Sequence, residues 1–236
     1  MPPEYPCPTG IVKIGGGMTP GLGMDGVKLV CLDHPDVSPE VDYNTPGGCL
    51  MLSVGSNDDF SYETELHKHR PNCDIHTFDP TVVQSEEKMA ELQEQLRVTY
   101  HLTGISHTVG KLSHGDLKPL TQVMKELGKT HISILKIDCE SCEWDAFFRD
   151  IFPAIYAGTL EINQLLIEMH YYHPIEYTRR GMEFPLEFLS RADEVGLRMH
   201  SFEINIYARP FAEYGFILVK RPESCDVCPE ALLGMF

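Results

Sequence analysis

From residue 49 onward the chain alternates two hydrophobic rhythms. Short continuous apolar runs, as in strands buried on both faces, are separated by segments of helical composition and spacing. Cys49-Leu-Met-Leu-Ser-Val-Gly55 is the first run. Ser61 to Arg70 then reads as a helix closed by Pro71, Cys73 to Phe78 as a second strand stopped by Asp79-Pro80, and Val83 to Leu96 as a helix rich in Glu, Gln and Leu. Val98 to Ile105 is a third strand, Leu117 to Leu127 a helix with Gly128 as its C-cap, and Ile132 to Ile137 a fourth strand. Cys142 to Phe152 reads as a helix stopped by Pro153, Gln164 to Met169 as a fifth strand, and Pro185 to Val195 as a helix ended by Gly196. Leu197 to Tyr207 and Tyr214 to Val219 are two last strands joined by a loop alone. Repeated strand–helix units predict a parallel sheet covered on both faces, and the final pair an antiparallel hairpin at its edge.

Residues 1–48 break the rhythm with Pro2, Pro3, Pro6, Pro8, the Gly15–Gly17 run, Pro20, Pro35, Pro39 and Pro46, leaving Val27 to Leu32 as one short strand candidate. This segment reads as an arm packed on the domain at 49–222, with 223–236 as a tail.

The composition narrows the partners. The chain has 236 residues and a net charge of −16, which argues against binding a nucleic-acid backbone or an anionic membrane surface. No apolar stretch approaches the roughly 20 residues a membrane helix needs, and the start of the chain lacks a basic-then-apolar signal pattern. Eight cysteines include two C-x-x-C pairs, Cys139–Cys142 and Cys225–Cys228. A four-sulfur zinc site needs both pairs to converge, and a thioredoxin-type motif belongs at a helix opening in another context. The remaining reading is buried free thiols, such as Cys49 and Cys73, with a Cys7–Cys31 or Cys225–Cys228 clip.

In an open parallel sheet, ligands bind beyond the C-terminal strand ends. After the first strand, Gly55 permits close backbone approach, followed by Ser56-Asn57-Asp58-Asp59-Phe60. Asp79, after the second strand, suits the two hydroxyls of a ribose. Together these form a nucleoside signature. Only Gly55 of a G-x-G-x-x-G fingerprint is present, and Asp58 and Asp59 would face a pyrophosphate, so a dinucleotide is disfavoured. S-adenosylmethionine, with its sulfonium and ammonium, suits such acids better. After the fourth strand, Asp138 and Glu140 share a face with Lys136; their alternative role is to cap the next helix. After the fifth, Glu168 and His170 share a face, and His170 or His173 is a candidate general base. Asp138, Glu140, Glu168, His170 and His173 could also supply ligands to a divalent cation, but their spacing matches no specific template, so no metal is expected.

The blocks Val54-Gly55-x-Asn57, Phe60-Ser61-Tyr62-Glu63, Phe78-Asp79-Pro80, Leu135-Lys136-Ile137-Asp138-x-Glu140 with Glu143-Trp144, and Leu166-Ile167-Glu168-Met169-His170 resemble class I S-adenosylmethionine-dependent methyltransferases, and the stretch at 25–33 resembles the segment that precedes the domain in the methyltransferase-like group. More narrowly, they resemble the methyltransferase-like group related to FkbM sugar O-methyltransferases, over about residues 24–220. The resemblance implies a three-layer Rossmann-like α/β fold whose seven-stranded, mostly parallel sheet has order 3-2-1-4-5-7-6. It implies S-adenosylmethionine contacts at Gly55, Asn57, Phe60, Asp79, Asp116 and Asp138. It also places Asp138 and Glu140 beside the methyl group. The expected reaction is methyl transfer to an oxygen of a small-molecule or glycan acceptor, with His170 or Asp138 as base and Glu140 and Glu168 as orienters. The alternative is a non-catalytic or protein-binding module on the same scaffold. Two departures matter: Asp59 stands where a second glycine is usual, and Ser141-Cys142 replaces a Gly-Ala pair.

Overall fold

The computed structural model describes residues 7, 10–19, 23–25, 27–32, 44–170, 183–204 and 211–219. The central strands are β1 (Leu50–Val54), β2 (Asp74–Phe78), β3 (Val98–His101), β4 (His131–Ile137), β5 (Glu161–His170), β6 (Leu197–Ile204) and β7 (Phe211–Leu218). They form one seven-stranded sheet of order β3-β2-β1-β4-β5-β7-β6. Every pairing from β3 to β5 is parallel; β7 runs antiparallel to both its neighbours. This is the Rossmann-like order expected, with the last strand inserted beside β5.

One face of the sheet is covered by α3 (Leu120–Leu127), α4 (Cys142–Ala146), α5 (Phe152–Tyr156) and α6 (Glu183–Glu194). They bury Leu52, Leu135, Ile137, Leu165 and Ile167 against an aromatic set that includes Phe147, Phe152, Phe188 and Phe216. The other face meets α1 (Ser61–His69), α2 (Glu86–Leu96) and the arm. There Ile14 and Val30 of the arm pack with Met51, Ile134, Leu166 and Leu66. The arm strands Val12–Ile14 and Lys28–Val30 pair antiparallel. The Gln164 side chain fastens them to β5: its Oε1 accepts from Cys31 N and its Nε2 donates to Cys31 O, both at 2.9 Å.

Several boundaries move for identifiable reasons. The third strand leaves the sheet after His101, and Thr103–Ile105 instead joins a small sheet with Gly110–Lys111 and Asp116–Lys118. The following helix therefore starts at Leu120, just past Pro119, where the preceding residue is held extended. Pro153 does not stop its helix. A π-helical turn, Phe147–Ile151, precedes it, and this wider turn admits Pro153 at the start of α5 without ending the helix. Helix α2 begins later than expected because Ser85 caps it, accepting from Lys88 N at 3.2 Å.

Cys49 and Cys73 are not free thiols. The β1–β2 register pairs Leu50 with Asp74, so the residues just before them are neighbours, 4.7 Å apart at Cα, and form a disulfide. Cys7–Cys31 and Cys139–Cys142 are also bonded. Cys225, Cys228 and His173 lie outside the described residues.

Candidate functional site

The site is built where β1, β4 and β5 end and β7 begins. Its first wall is the turn after β1. Gly55 has φ +79°, and a Cβ there would lie 1.7 Å from the carbonyl oxygen of Asp138, so only glycine fits. Lys136, buried on β4, donates through Nζ to Gly55 O and, at 3.4 Å, to Val54 O, fixing the turn from below. Asn57 and Asp58 both adopt left-handed backbone, at φ 45° and 64°. The amides of Gly55, Ser56, Asn57 and Asp59 all donate within the protein. Asp58 accepts from Gln84 Nε2 at 2.8 Å, and Asp59 accepts from Ser61 N at 2.8 Å at the opening of α1.

Asp79 is the acceptor for much of this turn. Its Oδ2 takes Ser56 N at 3.0 Å and Asn57 N at 2.8 Å, and its Oδ1 takes Thr81 N at 2.9 Å and Thr81 Oγ1 at 2.6 Å. Burial alone would push its carboxyl up, yet the bonds from Thr81, Asn57 and Ser56 hold it below the usual range. About four lone-pair positions exist on a carboxylate, so a ribose hydroxyl at Asp79 must displace one of these donors. Phe60 lies in the core, edge-on to Tyr100 with ring centroids 6.0 Å apart. Asp116 has an exposed side chain facing Lys111. Its neighbour Gly115 is so close to Pro80 that a Cβ would meet Pro80 Cα at 2.9 Å, which seats the 113–116 segment against the Asp79 loop.

The second wall carries the charges. Glu168 on β5 stands directly opposite Glu213 on β7, which stands opposite Glu203 on β6. Asp138 follows one residue beyond the Ile137–Ile167 pair, extending this row of acids onto β4. Like charges so placed repel. The compensation comes from the arm: Lys28, 1 % exposed, bonds Asp138 Oδ2 at 3.0 Å and also Glu213 Oε1. Burial works against the Lys28 ammonium, but Asp138, Glu213 and Glu168 outweigh it and hold its pKa above the ordinary lysine value. Burial likewise opposes the Asp138 carboxylate, but Lys28 and Lys136 hold it well below the usual range. Glu213 is pushed up, chiefly by burial. Its Oε2 is buried without a hydrogen-bond partner among the described residues.

His170, at the end of β5, is also buried. Glu143 in α4, fully enclosed, accepts from both His170 N and His170 Nδ1 at 2.9 Å. The indole of Trp144 donates to His170 O at 3.0 Å. Nε2 faces Glu140 Oε2 at 3.7 Å and Asp138 Oδ1 at 4.0 Å. Burial would lower its pKa, but the Glu143 bond and the surrounding carboxylates raise it to about 9. His170 is thus an imidazolium at neutral pH. Asp138, Glu168 and His170 bring one potential ligand atom each within 4.8 Å of one another; a cation, the Lys28 ammonium, already bonds the first of them.

The fold therefore brings Asp138, Glu140, Glu168 and His170 together beside Gly55. Asp79 and Asn57 lie in the adjoining turn, Phe60 in the core beneath it, and Asp116 at the far end of the Asp79 loop. The sequence reading gave no role to Lys28, Glu143 or Glu213, although Lys28 and Glu143 lie in stretches that carry the resemblance. The donor set fits a cationic ligand: acids outnumber cations, one carboxylate oxygen is orphaned, and the amides of Gly55, Ser56, Asn57 and Asp59 are already engaged.

A family model described as a methyltransferase domain matches residues 1–218. The human and rat proteins both named probable methyltransferase-like protein 24 are 28% and 26% identical to this chain over 133 residues. That match covers 53% of this chain and 34% of each relative, so it spans about a third of their length. Among solved structures, the Methanococcus jannaschii fibrillarin pre-rRNA processing protein is similar with a TM-score of 0.46 and 10% identity, covering 77% of this chain and 69% of that one. The 16S rRNA (adenine(1408)-N(1))-methyltransferase of Catenulisporales acidiphilia is similar with a TM-score of 0.41 and 11% identity, covering 90% and 100%.

Proposed function

This chain belongs to the methyltransferase-domain family, and on that premise we propose that it transfers a methyl group from S-adenosylmethionine to an oxygen of a small-molecule or glycan acceptor. Its family and fold are those of class I enzymes that depend on this cofactor. The observation that carries the reading is the charge pattern at the strand ends: a row of carboxylates with an orphaned oxygen, beside a glycine turn four of whose amides are already used. A net charge of −16 favours a neutral or cationic acceptor over a nucleic acid. Among the described residues no helix is long and apolar enough to cross a membrane.

Gly55 and Asn57 would line the cofactor's amino-acid end, Asp79 and Asp116 its nucleoside end, and Asp138 the methyl-bearing centre. When bound, the cofactor supplies an electrophilic methyl carbon on a positively charged sulfur. The protein's contribution is mainly positioning. Of the two candidate bases, Asp138 is the one able to act. His170 is held protonated by Glu143 and has no lone pair to offer at Nε2. Asp138 is a weak base, but a hydroxyl oxygen gaining a carbon substituent becomes strongly acidic, so modest basicity suffices. The His170 imidazolium orients Asp138 and Glu140, and Glu168 completes the acceptor's hydrogen-bonding edge.

Isothermal titration with S-adenosylhomocysteine, followed by transfer assays over hydroxylated acceptors, tests this. Asp138→Asn and His170→Ala should each retain cofactor binding within severalfold and lose most turnover. Unchanged transfer in both overturns the roles assigned. One observation favours the second reading, a non-catalytic module: the Asp79 carboxylate is saturated by its own turn. No heat at millimolar cofactor would support that module instead.

A further inference from the structure

The loop that leaves β4 carries Asp138 and Glu140 into the site, and it is closed by Cys139–Cys142, with Cα atoms 5.4 Å apart. Between the two cysteines Glu140 and Ser141 both adopt left-handed backbone, at φ 54° and 84°, without being glycine. Such residues persist only where their surroundings force them. The disulfide ring encloses both of them. A second link is chemical. Cys139 Sγ lies 3.6 Å from Glu143 Oε2, and the other oxygen of that same carboxylate holds His170. The pair is also reachable. Cys139 and Cys142 are both partly exposed, whereas Cys49, Cys73 and Cys31 are buried.

We propose that Cys139–Cys142 is a redox modification site at which a dithiol reductant loosens the loop that positions Asp138, Glu140 and His170. The functional consequence rests on the methyl-transfer reading; the redox chemistry does not. A reductant thiolate attacks one sulfur, forming a mixed disulfide and expelling the other cysteine as a thiolate that takes up a proton. The reductant's second thiol then displaces the first cysteine, which is also protonated. Two electrons and two protons pass to the protein, and the reductant leaves as its own disulfide. The resulting Cys139 thiol is placed to donate to Glu143 Oε2, drawing on the carboxylate that holds His170. The released loop no longer fixes the left-handed pair. Glu140, Glu143 and Asp138 around the sulfurs repel an anionic monothiol, so a neutral dithiol is the fitting class of reductant.

Trp144, the single tryptophan of the chain, lies two residues beyond Cys142 and reports on this loop directly. The full chain, purified without reductant, is titrated with mixtures of reduced and oxidised dithiothreitol. Trp144 emission, iodoacetamide labelling with peptide mapping, and S-adenosylhomocysteine affinity are followed together. Cys139 and Cys142 should label before Cys49 and Cys73, with one reversible change in Trp144 emission. Affinity should weaken by about fivefold or more, the lower end of typical site-to-site coupling. The Cys139→Ser/Cys142→Ser double variant should sit at the reduced level and ignore the dithiol. Labelling of the pair only on global unfolding, or labelling with neither emission nor affinity changed, overturns the proposal. If no state binds S-adenosylhomocysteine, the methyl-transfer reading falls, while labelling order and Trp144 emission still decide the redox assignment.

Discussion

Replacing Lys28 by Met keeps an unbranched side chain one atom shorter and removes the ammonium that spans Asp138 and Glu213. Lys28 is 1 % exposed and its partners' side chains are 21% and 14% exposed, so solvent screens the loss little. Removing one partner of a buried ion pair typically costs about 3–5 kcal/mol, because the remaining charge is left uncompensated. For a chain of this size each kcal/mol corresponds to about 2–4 °C in Tm, so Lys28→Met should melt about 6–20 °C lower at neutral pH. The pH dependence gives the sharper test. In the wild type Asp138 is held below its ordinary range, so its contribution is present above about pH 4 and is lost as pH falls through its lower folded value. In the variant Asp138 and Glu213 repel, their folded values rise, and protonation relieves them at milder acidity. The deficit should therefore be largest near pH 7 and shrink towards pH 5. Circular-dichroism melts of both proteins across that range decide the matter. A deficit under about 1 kcal/mol at pH 7, or one that stays constant with pH, would falsify the compensation argument.

Other expectations follow from the same geometry. Gly55→Ala places a Cβ 1.7 Å from the Asp138 carbonyl at a positive φ; it should cost several kcal/mol, on the order of a severe core change, and abolish S-adenosylhomocysteine binding by calorimetry. Glu143→Gln removes the main support of the His170 charge, so the NMR titration of His170 should move down from about 9. Because that folded value is raised, the pair's stabilisation is complete below the ordinary histidine value near 6.5 and fades as pH rises towards 9. The Tm gap between wild type and Glu143→Gln should narrow over that window. Cys49→Ala/Cys73→Ala opens a cross-link of sequence separation 24. By loop-closure entropy this should cost about 3 kcal/mol, read in denaturant titrations, without altering the Trp144 emission change on dithiol titration.

The strands and the acids at their ends were legible because both depend on local pattern: apolar runs fix the strands, and the residue after each run must face the cleft; the strand order came from the family resemblance. Lys28 was not legible. In sequence it is one polar position in a short apolar stretch, and its partners are 110 and 185 residues away. Glu213 fell in the loop before the last expected strand, Tyr214 to Val219, and only the earlier start of β7 at Phe211 sets it opposite Glu168. The Cys49–Cys73 bond did carry a signal, since each cysteine immediately precedes one of two strands expected to be adjacent. The π-helical turn before Pro153 left none, because a proline reads as a helix stop unless the preceding turn widens to admit it.

The Lys28 bridge has a temporal consequence. It joins a residue near the start of the chain to one on the last strand, and the acids it neutralises belong to three separate strands. During synthesis Lys28 emerges well before residue 213 and must wait until that residue has left the ribosome before it can meet both partners. Until then the central strands carry an unbalanced row of carboxylates and an unfinished cleft. Burial of this one ammonium would thus mark the moment at which the acids of the three strands are balanced.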